Sequence, residues 1–146
     1  PAQLNELNPV DHSVTPLRID AAKRYAVLVP RTDSDGNDIA GVRAPDVAAP
    51  LATHTGFNMR KAGFAEGQLC GLNGSYLPFS NDAQERAAKR DPRPSLAERY
   101  GTQAAYVQRV RASAEQLRSE GLMLDEDVAR SLELAAKDPA VQSLAK

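Results

Sequence analysis

Residues 95–137 read SLAERYGTQAAYVQRVRASAEQLRSEGLMLDEDVARSLELAAK and contain no proline. Ser95-Leu96-Ala97-Glu98 has the S-x-x-E spacing of a capping box, in which hydroxyl and carboxylate satisfy each other's free backbone N–H groups, so a short helix starts here. Gly101 ends it and Thr102 caps the next. Along that second helix Tyr106, Val110, Ala114 and Leu117 fall at i, i+4, i+8 and i+11 and share one face. Gly121 closes it. Asp125, Glu126 and Asp127 then place negative charge where a helix N-terminus favours it, followed by Val128, Leu132 and Ala135 on one face. The two longer helices predict a helical hairpin that buries Tyr106, Val110, Leu117, Val128 and Leu132 between them.

Upstream of Ser95 the chain changes character, because nine of its ten prolines lie there. Pro9 and Pro16, with Asn5, Asn8, Asp11 and Ser13 around them, interrupt both regular periods over residues 1–20, which reads as an extended arm. Tyr25–Val29 and Ile39–Val42 are short apolar runs on either side of Asp33-Ser34-Asp35-Gly36-Asn37-Asp38, a turn-forming segment, so they predict a β-hairpin. From Ala44 to Asn58, Pro45 and Pro50 alternate with small apolar residues in what reads as an extended strip. Gly56, Gly63, Gly67, Gly71 and Gly74 forbid a stable helix and predict an ordered irregular loop. Asn81 or Asp82 starts a polar helix running to Arg90. The expected fold class is therefore α+β. A short β-hairpin and long irregular Pro/Gly-rich loops over 1–94 precede a C-terminal helical hairpin over 95–146, within one structural unit.

A chain of 146 residues has room for one ordinary domain. Lys and Arg total 18 against 19 Asp and Glu, a net charge of −1, so no overall field recruits nucleic acid or an anionic membrane surface. No apolar run approaches the ~20 residues that span a bilayer, so no membrane insertion is expected. One cysteine, Cys70, cannot close an internal disulfide and is expected as a small packed residue.

Candidate chemistry is sparse. Asp11-His12-Ser13 holds the residue types of a hydrolase triad, but neighbouring side chains diverge and cannot form a nucleophile–base–orienter chain. The nucleophile elbow G-x-S-x-G is absent from these 146 residues. Asp33, Asp35, Asn37 and Asp38 resemble a calcium loop only in part, since Asp38 stands where glycine and Ala44 where glutamate is required. A hairpin turn is the expectation. Arg86, Lys89, Arg90 and Arg93 interleave with Asp82, Glu85 and Asp91 and read as a solvated face. His54, among Thr53, Thr55 and Asn58, stands where a pocket wall or a self-bonded loop are both open. No catalytic residue, metal or cofactor is assigned.

The run Val29-Pro-Arg-Thr-Asp33-Ser-Asp35-Gly-Asn-Asp-Ile-Ala-Gly-Val-Arg43-Ala-Pro-Asp-Val-Ala-Ala-Pro50-Leu-Ala-Thr-His-Thr-Gly-Phe-Asn58 resembles a stretch near the carboxyl end of the long alpha/beta-hydrolase-domain proteins. Their pattern there is D-x-D-G-N-x-x-G-G-V-R-x-P-x-V-x-x-P-x-A-T, and this chain departs from it at Ala40. Gly74–Phe79, Leu96–Gly101, Tyr106-Val107 and Gly121–Leu124 with Asp127 continue the similarity, over residues 24 to 136. In that family the nucleophilic serine and the histidine lie upstream of the matched segment, so the resemblance carries no catalytic residue onto this chain. It implies a C-terminal, non-catalytic portion of an ester-type hydrolase whose partner is an upstream catalytic domain. The strip from Ala44 to Asn58 is expected against that domain, with Thr53, His54 and Asn58 at the edge of the substrate pocket. A stand-alone binding or interaction module without enzymatic activity is the alternative.

Overall fold

The computed structural model describes residues 3–7 and 9–145. The chain divides after Arg31 into two units, Pro1–Arg31 and Thr32–Lys146. Its architecture is α+β, with three antiparallel two-stranded sheets among the described residues and a helical C-terminal part.

In the first unit β1 (Gln3–Leu7) pairs antiparallel with β4 (Tyr25–Leu28), and β2 (Val10–Asp11) with β3 (Arg18–Ile19). Two expectations are corrected here. The arm read over residues 1–20 includes paired strands among its described residues, since backbone pairing needs no apolar alternation and the polar run around Asn5 and Glu6 supplies β1. Tyr25–Val29 does not pair with Ile39–Val42. Pro30 lacks a donor to continue the ladder. The Asp33–Asn37 turn closes on itself through Asp33 N–H to Asn37 O at 2.8 Å, with a single bridge between Thr32 and Asp38. Gly41, at φ +85°, then bends the second apolar run away from strand geometry.

In the second unit, α1 (Pro45–Ala48) leads into β5 (Ala52–Thr55), which pairs with β6 (Ser75–Pro78). α2 (Ala83–Lys89), α3 (Leu96–Tyr100), α4 (Gln103–Ser119), α5 (Asp125–Lys137) and α6 (Pro139–Gln142) follow. The starts of α2, α3, α4 and α5 are those read from the sequence, whereas α1 and α6 were not foreseen. The Ser95 hydroxyl accepts from Glu98 N–H while Glu98 Oε2 accepts from Ser95 N–H at 2.8 Å, and Thr102 Oγ1 accepts from Ala105 N–H at 3.1 Å. Asp82 caps α2, which buries no residue.

α4 packs on α5 and on α1. The core gathers Leu96 and Tyr100 from α3, Tyr106 and Val110 from α4, Ala135 from α5, Val141 and Leu144 from the C-terminus, and Ala49 and Phe79 from upstream. Each large side chain so buried contributes about 1.5–3 kcal/mol of transfer free energy. Leu117 is only half-buried, because the stripe on α4 leaves the core after Ala114. The strip from Ala44 to Asn58 is not extended throughout, because Pro45–Ala48 form α1. Its apolar residues have partners within the chain: Ala49 and Ala52 are buried, Leu51 packs against the core, and Tyr100 Oη donates to Pro50 O at 2.7 Å. The connection from β5 to β6 is the irregular loop foreseen, turning at Gly63, Gly67 and Gly71 and tied by a Met59–Leu69 bridge. Cys70 lies on it exposed, rather than packed.

Candidate functional site

The D-x-D-G-N segment is a bracket that holds β5. Asp33 Oδ1 accepts from the N–H groups of Asp35 (2.9 Å) and Asn37 (3.0 Å), and its Oδ2 from Arg43 Nη2 (2.8 Å). Burial pushes this carboxyl up, but the bonds from Asn37, Arg43 and Asp35 outweigh it and hold Asp33 below the usual aspartate range. Asp35 forms a two-pronged ion pair with Arg99, with Nη1 to Oδ2 at 2.7 Å. Gly36 takes φ +83°, and a Cβ there would sit 2.9 Å from Thr53 Cγ2. Asn37 is fully buried, donating from Nδ2 to Ala52 O (3.1 Å) and accepting His54 N–H on Oδ1 (2.7 Å). An antiparallel pair uses alternate residues toward its partner, so Asn37 serves the edge of β5 that β6 leaves unpaired.

Arg93 locks the other strand. It donates to Leu77 O (2.9 Å), Pro78 O (3.3 Å) and Thr53 Oγ1 (2.7 Å), pairs with Asp91 at 2.6 Å, and stacks 4.9 Å from the centre of the Phe79 ring. Those bonds from Arg93 lower Asp91 to about 2. Arg93 is therefore no part of a solvated basic face, as its interleaved charges predicted. Its fork is spent on backbone carbonyls that only the fold brings near.

Successive strand residues point to opposite faces. Thr53 is thus turned toward Arg93 and donates to Asp35 O, while His54 faces a cavity of about 310 Å³. His54 and Tyr76 are cross-strand partners with ring centres 5.3 Å apart, edge to face. Leu51, Tyr106, Val110 and Ala135 line the cavity with apolar surface, and Asp46, Ser131, Leu134 and Asp138 complete it. Asn58 lies outside it, its carbonyl accepting Cys70 N–H at 2.8 Å. Of the three residues expected at a pocket edge, the structure places His54 on a cavity, Thr53 in the bracket behind it and Asn58 at the stem of the Gly-rich loop.

A family model described as alpha/beta hydrolase domain matches residues 8–133. The chain belongs to the alpha/beta hydrolase domain family. Neither a curated protein nor a solved structure matches it. The bracket lies within the matched segment, as do the cavity residues from Asp46 to Ser131, whereas Leu134, Ala135 and Asp138 lie beyond its end.

Hydrolase chemistry asks for a hydroxyl, a base and an orienting carboxylate in hydrogen-bond sequence. Ser131, His54 and two aspartates share the cavity, a grouping that no local motif reveals because it draws on α1, β5, α5 and the start of α6. Among the described residues no hydrogen bond joins them, and the His54 ring stands edge to face with Tyr76. Near the other histidine, Ser13 Oγ donates to Asp11 Oδ1 at 2.6 Å rather than to His12. This bond, with that from Ser13 N–H, lowers the Asp11 carboxyl.

Proposed function

We propose that this chain is a non-catalytic part of an ester-type α/β hydrolase, packing on a catalytic domain and shaping its substrate pocket. The observation that carries this reading is His54. It is held on a cavity wall by a buried asparagine, yet among the described residues its imidazole makes no hydrogen bond to a hydroxyl or a carboxylate. A positioned ring without a nucleophile suits contact with a substrate whose scissile bond is served from elsewhere. Exposed Phe64, Leu69 and Leu72 on the β5–β6 loop supply apolar surface on which a catalytic domain would pack.

The test is hydrolysis of 4-nitrophenyl esters by the chain alone. No turnover above buffer is expected, and turnover that disappears in Ser131→Ala or Ser13→Ala would overturn the reading. In a hydrolase that carries this segment, His54→Ala is expected to raise KM while leaving kcat within about twofold. An equal fall in kcat and kcat/KM would instead make His54 part of the chemistry. One observation favours a second reading, a binding module that acts by itself: residues 49–144 enclose their own core. Saturable ligand binding together with wild-type activity in a hydrolase deleted of this segment would select it.

A further inference from the structure

We propose that the cavity beside His54 binds a small organic cation, a primary ammonium compound with an apolar body. The inference stands on the cavity alone and holds whether or not the chain serves a hydrolase.

Charge comes first. Asp46 and Asp138 line the cavity, and no lysine or arginine among the described residues does. The Asp46 carboxylate has no hydrogen-bond or ion-pair partner among the described residues, although it sits in a unit where Asp33, Asp35 and Asp91 are all matched to arginine. Asp138 commits Oδ1 to Ala140 N–H at 2.8 Å and leaves Oδ2 unpaired. Neither an anion nor a neutral ligand answers those two carboxylates. A metal ion does not either, since no three acidic, histidine or cysteine side chains converge closely enough among the described residues.

An independent observation comes from Tyr106. Only 4% of this residue is exposed, it lines the cavity, and its hydroxyl has no partner among the described residues. Neighbouring Tyr100, equally embedded, has its hydroxyl capped by Pro50 O at 2.7 Å. A buried tyrosine normally finds a hydrogen bond. The Tyr106 hydroxyl is not one of the sealed unpartnered atoms among the described residues, which are Arg43 Nε and Ser80 Oγ, so it opens on the cavity it lines and takes its partner, water or a ligand, there. Burial first pushes the Tyr76 and Tyr106 hydroxyls up; the carboxylates of Asp138 and Asp46 add to it at Tyr76, and Tyr100 followed by the same two carboxylates at Tyr106.

An alkylammonium group answers all of these at once. Its N–H donors serve Asp46, Asp138 and the Tyr106 oxygen, and its charge meets the faces of aromatic rings. The apolar floor of Leu51, Val110 and Ala135 takes the hydrocarbon part.

The probe is benzylammonium chloride, titrated into the full chain at about pH 7.5, where the ammonium is charged. Benzyl alcohol and benzoate serve as neutral and anionic matches, with binding followed by NMR shifts of backbone amides. Expected is saturable binding of benzylammonium about tenfold or more tighter than benzyl alcohol, none of benzoate, and weakening with added salt. Asp46→Asn should lower the affinity about fivefold or more without moving the melting curve, because Asp46 is exposed and unpaired. Tyr106→Phe should lower it by a smaller factor, and if that variant fails to fold, Asp46→Asn decides alone. Equal affinity for all three probes, no saturable binding of benzylammonium, or affinity unchanged in Asp46→Asn would overturn the proposal.

Discussion

Asn37→Ala is the perturbation that separates a bracket from a mere turn. The asparagine is fully buried and satisfies two backbone groups of β5, Ala52 O at 3.1 Å and His54 N–H at 2.7 Å. Truncation leaves both without a partner in a space too closed for easy hydration. Each orphaned group costs about 1–3 kcal/mol, so the variant should lose roughly 2–6 kcal/mol in total. At ~4 °C per kcal/mol for a domain of this size, the melting temperature should fall by roughly 8–24 °C. Thermal unfolding followed by circular dichroism measures the loss, and amide exchange locates it: the His54 N–H should lose protection before the helix amides of α4 do. A fall under about 2 °C with His54 still protected would refute the reasoning, because β5 would then be held by β6 and the core alone.

Other consequences follow from single contacts. At Gly74 a Cβ would meet Thr55 O at 2.1 Å, where backbone faces backbone, so Gly74→Ala should cost about 1–3 kcal/mol in denaturant unfolding. Val110→Asp should destabilise by about 3 kcal/mol or more, whereas Leu117→Asp, at a half-buried position, should cost clearly less when both are melted side by side. Asp33 and Asp91 are both held below their ordinary 3.8, so their contribution is complete above that pH and is lost as the pH falls through the folded values, about 2 for Asp91. Melting temperature should therefore drop steeply on acidification in this range, and Asp91→Asn should flatten the drop.

The helical part is legible in the sequence because its signals are local. Ser95 and Glu98 stand three residues apart, Thr102 caps within one turn, and the stripe of Tyr106, Val110 and Ala114 repeats along one helix. The bracket is not, since its content is long-range: Arg93 reaches Thr53 across 40 residues and Arg99 reaches Asp35 across 64. A turn rich in Asp, Gly and Asn looks the same in sequence whether it joins two strands or, as here, folds back to satisfy the edge of a third. The pairing of β4 with β1 was hidden for a related reason, as apolar runs mark strands but leave open which backbone edge they meet. The sequence left His54 open between a pocket wall and a self-bonded loop, because its neighbours on the cavity, Asp46, Tyr76, Tyr106, Ser131 and Asp138, come from five separate elements or their ends.

The central claim, that this chain holds no hydrolase nucleophile of its own, is tested most directly by covalent labelling. A fluorophosphonate reacts stoichiometrically with a serine activated by a base and oxyanion donors, and ignores an ordinary hydroxyl. Incubation of the folded chain followed by intact-mass measurement should return the unmodified mass. A stoichiometric adduct, mapped to Ser131 beside His54 or to Ser13 beside His12, would contradict the account.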